Sequence, residues 1–452
     1  MKKHNLKLST TQVIMLSFLS VILIGSLLLA LPISSKSGKP VPYIDALFTA
    51  TSATCVTGLV TLPTVSTWSI FGQIVILLLI QVGGLGVITI VAGFSVAIHR
   101  KIGLNDSKLI SDSFNLNSLS GLAKFVKKVI FGTFIIEGVG ALLYMIAFIP
   151  DFGLRGIWIS IFNSVSAFCN AGIDIISESS LYNYVTNPLV NTVTSVLVVL
   201  GGIGYIVWWD IIRVLKNFKK ERAKCLKRLT LHSKIVLSTT LVLIFGGALA
   251  IFAFEYSNPL TIGNFSLFEK IQASFFQSIT TRTAGFATIP QENLTNGSAI
   301  VCLILMFIGG SPVGTAGGVK TITIVVLFAT AYSAIKNKNE VSLFSRNISR
   351  QTVKKSVAVT CMSFMIVLIS TLLLSCVTNA PALDIFYESI SATATVGLTR
   401  NLTSSLDIIG KIIIIITMYL GRIGPISLAV SFNSNKETAN VIKNPTEEIS
   451  VG

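Results

Sequence analysis

The run TATSATCVTGL, Thr49 to Leu59, decides the fold, because the chain returns to it three more times. With Gly58 as the anchor, SVSAFCNAGI reaches Gly172, SITTRTAGFA contains Gly285 and SATATVGLTR contains Gly397, at successive intervals of 114, 113 and 112 residues. Near-equal spacing of this kind is the signature of an internal repeat. The register has further fixed points. Ten residues before the glycines stand Phe48, Phe162, Phe275 and Tyr387; six before, Ser52, Ser166, Ile279 and Ser391; four before, Thr54, Phe168, Thr281 and Thr393. A second glycine cluster follows each anchor: Gly83-Gly84-Leu85-Gly86, Gly201-Gly202-Ile203-Gly204, Gly309-Gly310 and Gly421-Arg422-Ile423-Gly424. Two motifs held in register four times point to fourfold duplication.

Length alone, 452 residues, would suggest two or three soluble domains. Composition overrules it: 52% of residues are hydrophobic and only 12% charged, and mean hydropathy is +0.78. That is the balance of a polytopic membrane protein. A net charge of +16 would suit a nucleic-acid binder, but the basic residues sit in short segments between apolar spans, which is the positive-inside pattern. Six cysteines lack metal spacing, and His4, His99 and His232 lie far apart. With no nucleophile–base pair and no metal cluster in the repeats, an enzyme is not expected, nor a resident cofactor.

Each repeat reads as an apolar span, a polar turn, a short amphipathic helix, the glycine motif and a second apolar span. First spans lie near 11–32, 126–149, 235–254 and 356–377; second spans near 69–98, 188–212, 299–335 and 408–432. The expected fold is an all-α integral membrane protein of four parallel helix–pore loop–helix repeats. Its eight transmembrane helices would have pseudo-fourfold symmetry around a central pore. Repeat 1 covers 1–115, repeat 2 covers 116–232, repeat 3 covers 233–350, repeat 4 covers 351–432, and a polar tail covers 433–452. Lys and Arg gather before the first span and at the junctions between repeats, notably from Lys216 to Lys234, so junctions and both termini are expected in the cytoplasm.

Four non-helical segments at membrane depth are tolerable only where protein or water satisfies their backbone. Around a fourfold axis they would aim carbonyls at one line, and a ring of carbonyls can replace the hydration shell of a monovalent cation. The candidate ion-binding residues are Thr54, Cys55, Val56, Thr57 and Gly58; Cys169, Asn170, Ala171 and Gly172; Thr281, Arg282, Thr283, Ala284 and Gly285; and Thr393, Ala394, Thr395, Val396 and Gly397. Thr54, Thr281 and Thr393 would add hydroxyls at the inner end, while Arg282 would brace the segment from behind. Asp45 and Asp384, each thirteen before its glycine, are expected to cap the short helices. Glu137 reads as a helix-contact residue.

The second span of repeat 3 stands apart. Ala299 to Ile335 is 37 residues, about 55 Å if wholly helical against a hydrocarbon core of ~30 Å. Its middle, Gly309, Gly310, Ser311, Pro312, Val313, Gly314, Thr315, Ala316, Gly317, Gly318, Val319 and Lys320, holds five glycines and a proline. A broken helix is expected there. Arg422 lies inside the last span, where a glycine stands in repeats 1 and 2. An ionisable residue at such depth is a functional candidate.

These motifs resemble the Trk/Ktr/HKT superfamily of potassium transporters, most closely its bacterial Ktr-type membrane subunits, over nearly the whole chain. The resemblance implies potassium uptake, with K⁺ as the transported ion. Glycine at all four anchors matches the potassium-selective pattern, whereas a serine in the first loop accompanies sodium transport. It further implies that 309–320 is an intramembrane gate loop with Arg422 beside it. Finally, it implies a homodimer seated on a ring of cytosolic RCK-domain subunits, which would bind the regulatory nucleotides. Sodium dependence stays open, and an alternating-access cation transporter is the rival reading.

Overall fold

The computed structural model describes residues 9–87, 89–90, 92–93, 122–216, 227–338 and 340–424. The tail 433–452, the boundary at 115/116, and Lys219, Lys220, Arg222 and Lys224 of the basic junction lie outside the described residues.

Four long helices open the four units: α1 (Thr10–Ala30), then, among those defined below, α4 (Leu122–Phe152), α8 (Leu231–Glu255) and α12 (Arg350–Val377). Their starts are written in the sequence. Ser9 and Gln12 form a capping box on α1, while the Thr230 and Ser349 hydroxyls accept from backbone N–H groups of α8 and α12. Such caps satisfy N–H groups that a helix start leaves without partners. These four are long and apolar enough to cross a membrane. Their outward faces carry exposed Leu27, Phe134, Leu142, Val242, Leu249, Met365 and Leu372. Exposed apolar side chains in such number suit a lipid solvent.

A short helix follows each long one: α2 (Tyr43–Cys55), α5 (Arg155–Cys169), α9 (Leu267–Thr280) and α13 (Ala382–Ala394). Phe48, Phe162 and Tyr387 bury their rings completely, and Phe275 sets its ring edge-on to Phe245 at 5.3 Å. The recurrent aromatic therefore seats each short helix. Asp45 and Asp384 do not cap α2 and α13, contrary to the sequence reading. The caps are Pro42 and Pro381, without side-chain bonds. The two carboxylates lie in the first turn and face bases instead, Asp45 to Lys411 and Asp384 to Arg400, each at 2.6 Å.

The second halves are α3 (Ile70–Leu85), α6 (Pro188–Gly202) with α7 (Tyr205–Leu215), α10 (Asn296–Phe307) with α11 (Thr321–Ile335), and α14 (Ile408–Ile423). Regular helix also stops outside repeat 3, at a glycine in each of the other units. Gly86, Gly204 and Gly424 each take a φ near +85° (84°, 87° and 87°), which ends regular helix. The α6–α7 pair bends by 98°. The sequence singled out only repeat 3, and the stops at Gly86, Gly204 and Gly424 add to that reading. A glycine that stops a helix looks, in sequence, like one that merely packs.

Candidate functional site

Three of the short helices end directly in a left-handed cap, and α9 reaches its left-handed residue two positions after a right-handed cap at Thr281. The residue two before the anchor glycine is left-handed in all four units: Val56 (φ 55°), Asn170 (59°), Thr283 (67°) and Thr395 (52°). The anchors follow, with φ of 97°, 66°, 82° and 97° at Gly58, Gly172, Gly285 and Gly397. Local bonds fix this turn. Thr57, Ala171 and Val396 donate their N–H to Ser52, Ser166 and Ser391 carbonyls at 2.8 Å. The hydroxyls of Ser52 and Ser391 accept from the anchor N–H of Gly58 and Gly397 at 3.0 and 3.1 Å. The serine six before the glycine was visible in sequence without a role; it is the clasp of the turn. In repeat 3, where Ile279 stands there, Thr280 takes over from one position later and accepts the N–H of Ala284 at 2.9 Å.

The four anchors form a closed ring. A Cβ on Gly58 would stand within 2.6 Å of the Ala171 carbonyl oxygen, one on Gly172 of Ala284, one on Gly285 of Val396, and one on Gly397 of Thr57. Each glycine thus abuts the carbonyl just before the next glycine, in the order 1, 2, 3, 4 and back to 1. Only glycine fits a positive φ pressed against a neighbouring backbone. The partial negative end of each short helix comes to the same place.

The expected ion-binding residues are all buried, from Thr54 through Gly397, with Arg282 at 7% the most exposed of the non-glycine ones. Arg282 donates from Nη2 to the Gly309 carbonyl at 3.4 Å. The expected inner hydroxyls are not equivalent. Thr281 and Thr393 donate to the Ser278 and Ser389 carbonyls of their own helices at 2.8 Å, whereas the Thr54 hydroxyl has no partner. Glu137 does make helix contacts, accepting from Gln81 Nε2 at 3.2 Å.

The second glycine cluster lies directly beneath. Gly83, Gly201 and Gly421 press against the carbonyls of Thr54, Phe168 and Thr393, the residues four before their anchors. In repeat 3 the chain instead leaves helix at Ile308 and re-enters at Thr321. The intervening segment is tied on every side. Gly309 N–H bonds Val319 O at 3.1 Å and Gly310 N–H bonds Gly317 O at 3.2 Å; Ser311 and Thr315 donate to Gly202 and Gly201 at 2.9 and 3.2 Å; Tyr205 N–H reaches Val313 O at 2.9 Å. Lys320 Nζ returns to Ala316 O at 2.6 Å. Arg422 holds the apex, donating to Thr315 O at 2.7 Å and to Gly83 O. Gly314 and Gly317 are dictated by close approach, to Gly201 O and to the Thr395 hydroxyl. Pro312, Ala316 and Gly318 complete the segment's inner wall.

Two cavities flank the ring. One of about 270 Å³ is lined by all four anchor glycines together with Asp174, Glu178 and Glu292. Burial pushes the Asp174 carboxyl up to about 6, against a bond from the Ile176 N–H. The other, about 530 Å³, is bounded by Thr393, Ala394, residues 312–320 and Arg422.

Apolar outer helices around a ring of backbone, with a cavity on either side, define a multi-pass membrane protein built to handle a small solute. The chain belongs to the TrkH family of cation transport proteins, whose profile matches residues 2–443. It is similar to the Ktr system potassium uptake protein B of Bacillus subtilis, 39% identical over 442 residues, covering 98% of this chain and 96% of the relative. It is also similar to the potassium/sodium uptake protein NtpJ of Enterococcus hirae, 37% identical, covering 100% and 99%. Its fold matches the crystal structure of the potassium transporter TrkH from Vibrio parahaemolyticus, with a TM-score of 0.73 over 95% of this chain and 86% of that one, at 17% identity. The resemblance read from the repeats therefore holds, and the family is one of transport proteins.

Proposed function

We propose that the protein takes up potassium across the cell membrane through a four-sided pore, with the ring of Gly58, Gly172, Gly285 and Gly397 as its selectivity filter. The observation that carries this is the cyclic contact of each glycine with the carbonyl before the next one, between two cavities. Carbonyls from Thr54–Gly58, Cys169–Gly172, Thr281–Gly285 and Thr393–Gly397 would take the place of the ion's water. The acidic outer cavity would gather cations. Residues 309–320 would be the gate, standing below the ring, with Lys320 and Arg422 adding like charge to the barrier.

In this reading the repeats are those expected from sequence, eight spans in four parallel units. The second spans run through their breaks, and both termini are cytoplasmic. The functional unit is a homodimer controlled by a ring of cytosolic RCK-domain subunits; the words "Ktr system" in the names of relatives support a multicomponent arrangement. A part for sodium is the second reading, favoured by the name of the Enterococcus relative. Alternating access around a midplane site commonly uses inverted repeats; here the four turns share one sense around one ring, which favours a pore.

The test is rubidium uptake into proteoliposomes with competing potassium or sodium. Potassium is expected to compete at far lower concentration than sodium, and Gly58→Ser to narrow that gap, because a side chain at φ 97° must displace the Ala171 carbonyl. Equal competition by both ions in the unaltered protein overturns the filter assignment.

A further inference from the structure

The segment 309–320 touches the ring's supports directly. The Thr315 hydroxyl donates toward the Phe168 carbonyl at 3.1 Å and toward Asn170 Oδ1 at 3.0 Å. One proton is shared between two oxygens, while the Asn170 Nδ2 has no partner although the residue is buried. Turning the carboxamide over lets Nδ2 donate to Thr315 Oγ1 and leaves the hydroxyl proton to Phe168 alone; carboxamide orientation is assigned from such networks. In either orientation the contact joins the segment's apex to the left-handed residue of repeat 2. Thr315 is itself fixed, its N–H on Gly201 O at 3.2 Å and its carbonyl under Arg422 at 2.7 Å.

The other three quadrants lack such a bond among the described residues. Val56 has no polar side chain at this position, and the hydroxyls of Thr283 and Thr395 are buried without hydrogen-bond partners. Asparagine tolerates the left-handed conformation better than valine or threonine. Repeat 2 therefore gains a side chain that both suits the turn and reaches the apex. The next residue, Ala171, supplies the carbonyl against which Gly58 is packed. A displacement of Asn170 passes to that carbonyl across one peptide bond.

Resting on the pore-and-gate reading above, we propose that Asn170 is a positioning residue that makes ion selection depend on the position of the gate segment. With Thr315 in place, the repeat 2 carbonyl is held where it discriminates among cations. Conduction moves the rest of the segment aside with this bond kept; where the bond is lost, Asn170 is released and the ring accepts a wider range of ions. Asn170 acts through its neighbour's carbonyl, and its carboxamide is not itself an ion ligand.

The experiment measures KM and Vmax for rubidium, and the potassium-over-sodium preference, in proteoliposomes carrying Thr315→Val, Thr315→Ser, Asn170→Gly and the Thr315→Val/Asn170→Gly pair. Thr315→Val and Asn170→Gly are each expected to relax the preference about fivefold, the scale of one net hydrogen bond. Thr315→Ser keeps the hydroxyl and should keep the preference. The double variant should be no worse than either single, since both remove one bond. Unchanged preference in both single variants, losses that multiply in the double, or a fall in Vmax alone would each overturn the proposal while leaving the pore standing. Absence of rubidium uptake by the unaltered protein would instead overturn the pore, and this inference with it.

Discussion

Val56 and Thr395 hold φ near +55° and +52° with branched Cβ atoms, a conformation that such side chains rarely adopt. Each costs on the order of 1–3 kcal/mol and persists only where the surroundings over-determine it. Here the serine clasps and the glycine ring supply that determination. Replacing Val56 by asparagine is expected to relieve strain and raise the melting temperature in detergent by a few degrees, while loosening discrimination between potassium and sodium. A thermal melt beside a competition assay checks both, and a variant that is more stable with full discrimination would refute the link. At this scale the anchors were legible and the turn was not. Val, Asn, Thr and Thr have no side-chain group in common, because the surrounding backbone rather than the side chain imposes their conformation. Asp45 and Asp384 misled for a related reason: an acid in a first turn suits the helix dipole whether it caps or, as here, meets a base.

Among the elements, the interrupted second helices separate what sequence could and could not reveal. GGSPVGTAGGVKT is long enough to exclude a straight helix, so the break in repeat 3 was visible. The helix stops at Gly86, Gly204 and Gly424 each rest on one residue's φ, and nothing in GGLG, GGIG or GRIG distinguishes the helix-ending glycine from its neighbours. The neighbours have their own task, since Gly83, Gly201 and Gly421 let backbone lie against backbone beneath the short helices. If 309–320 is the gate, deleting Val313 to Gly317 should raise rubidium flux severalfold and weaken its dependence on any cytosolic regulator. Flux falling to background in a deletion variant that is still folded and inserted would mean the segment supports the pathway rather than blocking it.

For the molecule as a whole, one ion pair and a set of arginine–carbonyl bonds tie the last repeat to its neighbours. Lys411 on α14 reaches Asp45 on α2 at 2.6 Å, joining the fourth unit to the first. Arg400 binds Asp384 and the carbonyls of Gln291 and Glu292 at 2.8 and 3.0 Å, joining the fourth to the third. With side-chain exposures of only 15% and 9%, Lys411 and Asp45 are poorly solvated. Removing one partner strands the other, at a cost of about 3 kcal/mol. Asp45→Asn is therefore expected to lower the melting temperature in detergent clearly. A melt unchanged within a degree would show that the pair contributes nothing to closing the ring. Neither contact was readable beforehand: partners 366 residues apart are brought together only by the circular order of the units. That order followed from duplication, whereas which charges meet follows from packing.

In the proposed four-repeat reading, copies of one unit in a single polypeptide are free to diverge, which identical subunits are not. The segment between Ile308 and Thr321 leans on Gly201, Gly202 and Asn170 of one quadrant and on Thr395 of another. Were the ring an assembly of identical chains, every quadrant would bring its own such segment, and four would compete for the space that one fills. With that segment as the proposed gate, covalent linkage of the repeats is what makes a single off-axis plug permissible. Its counterpart is that such a plug has one latch rather than four, so a lesion at one residue is not covered by symmetry-related copies.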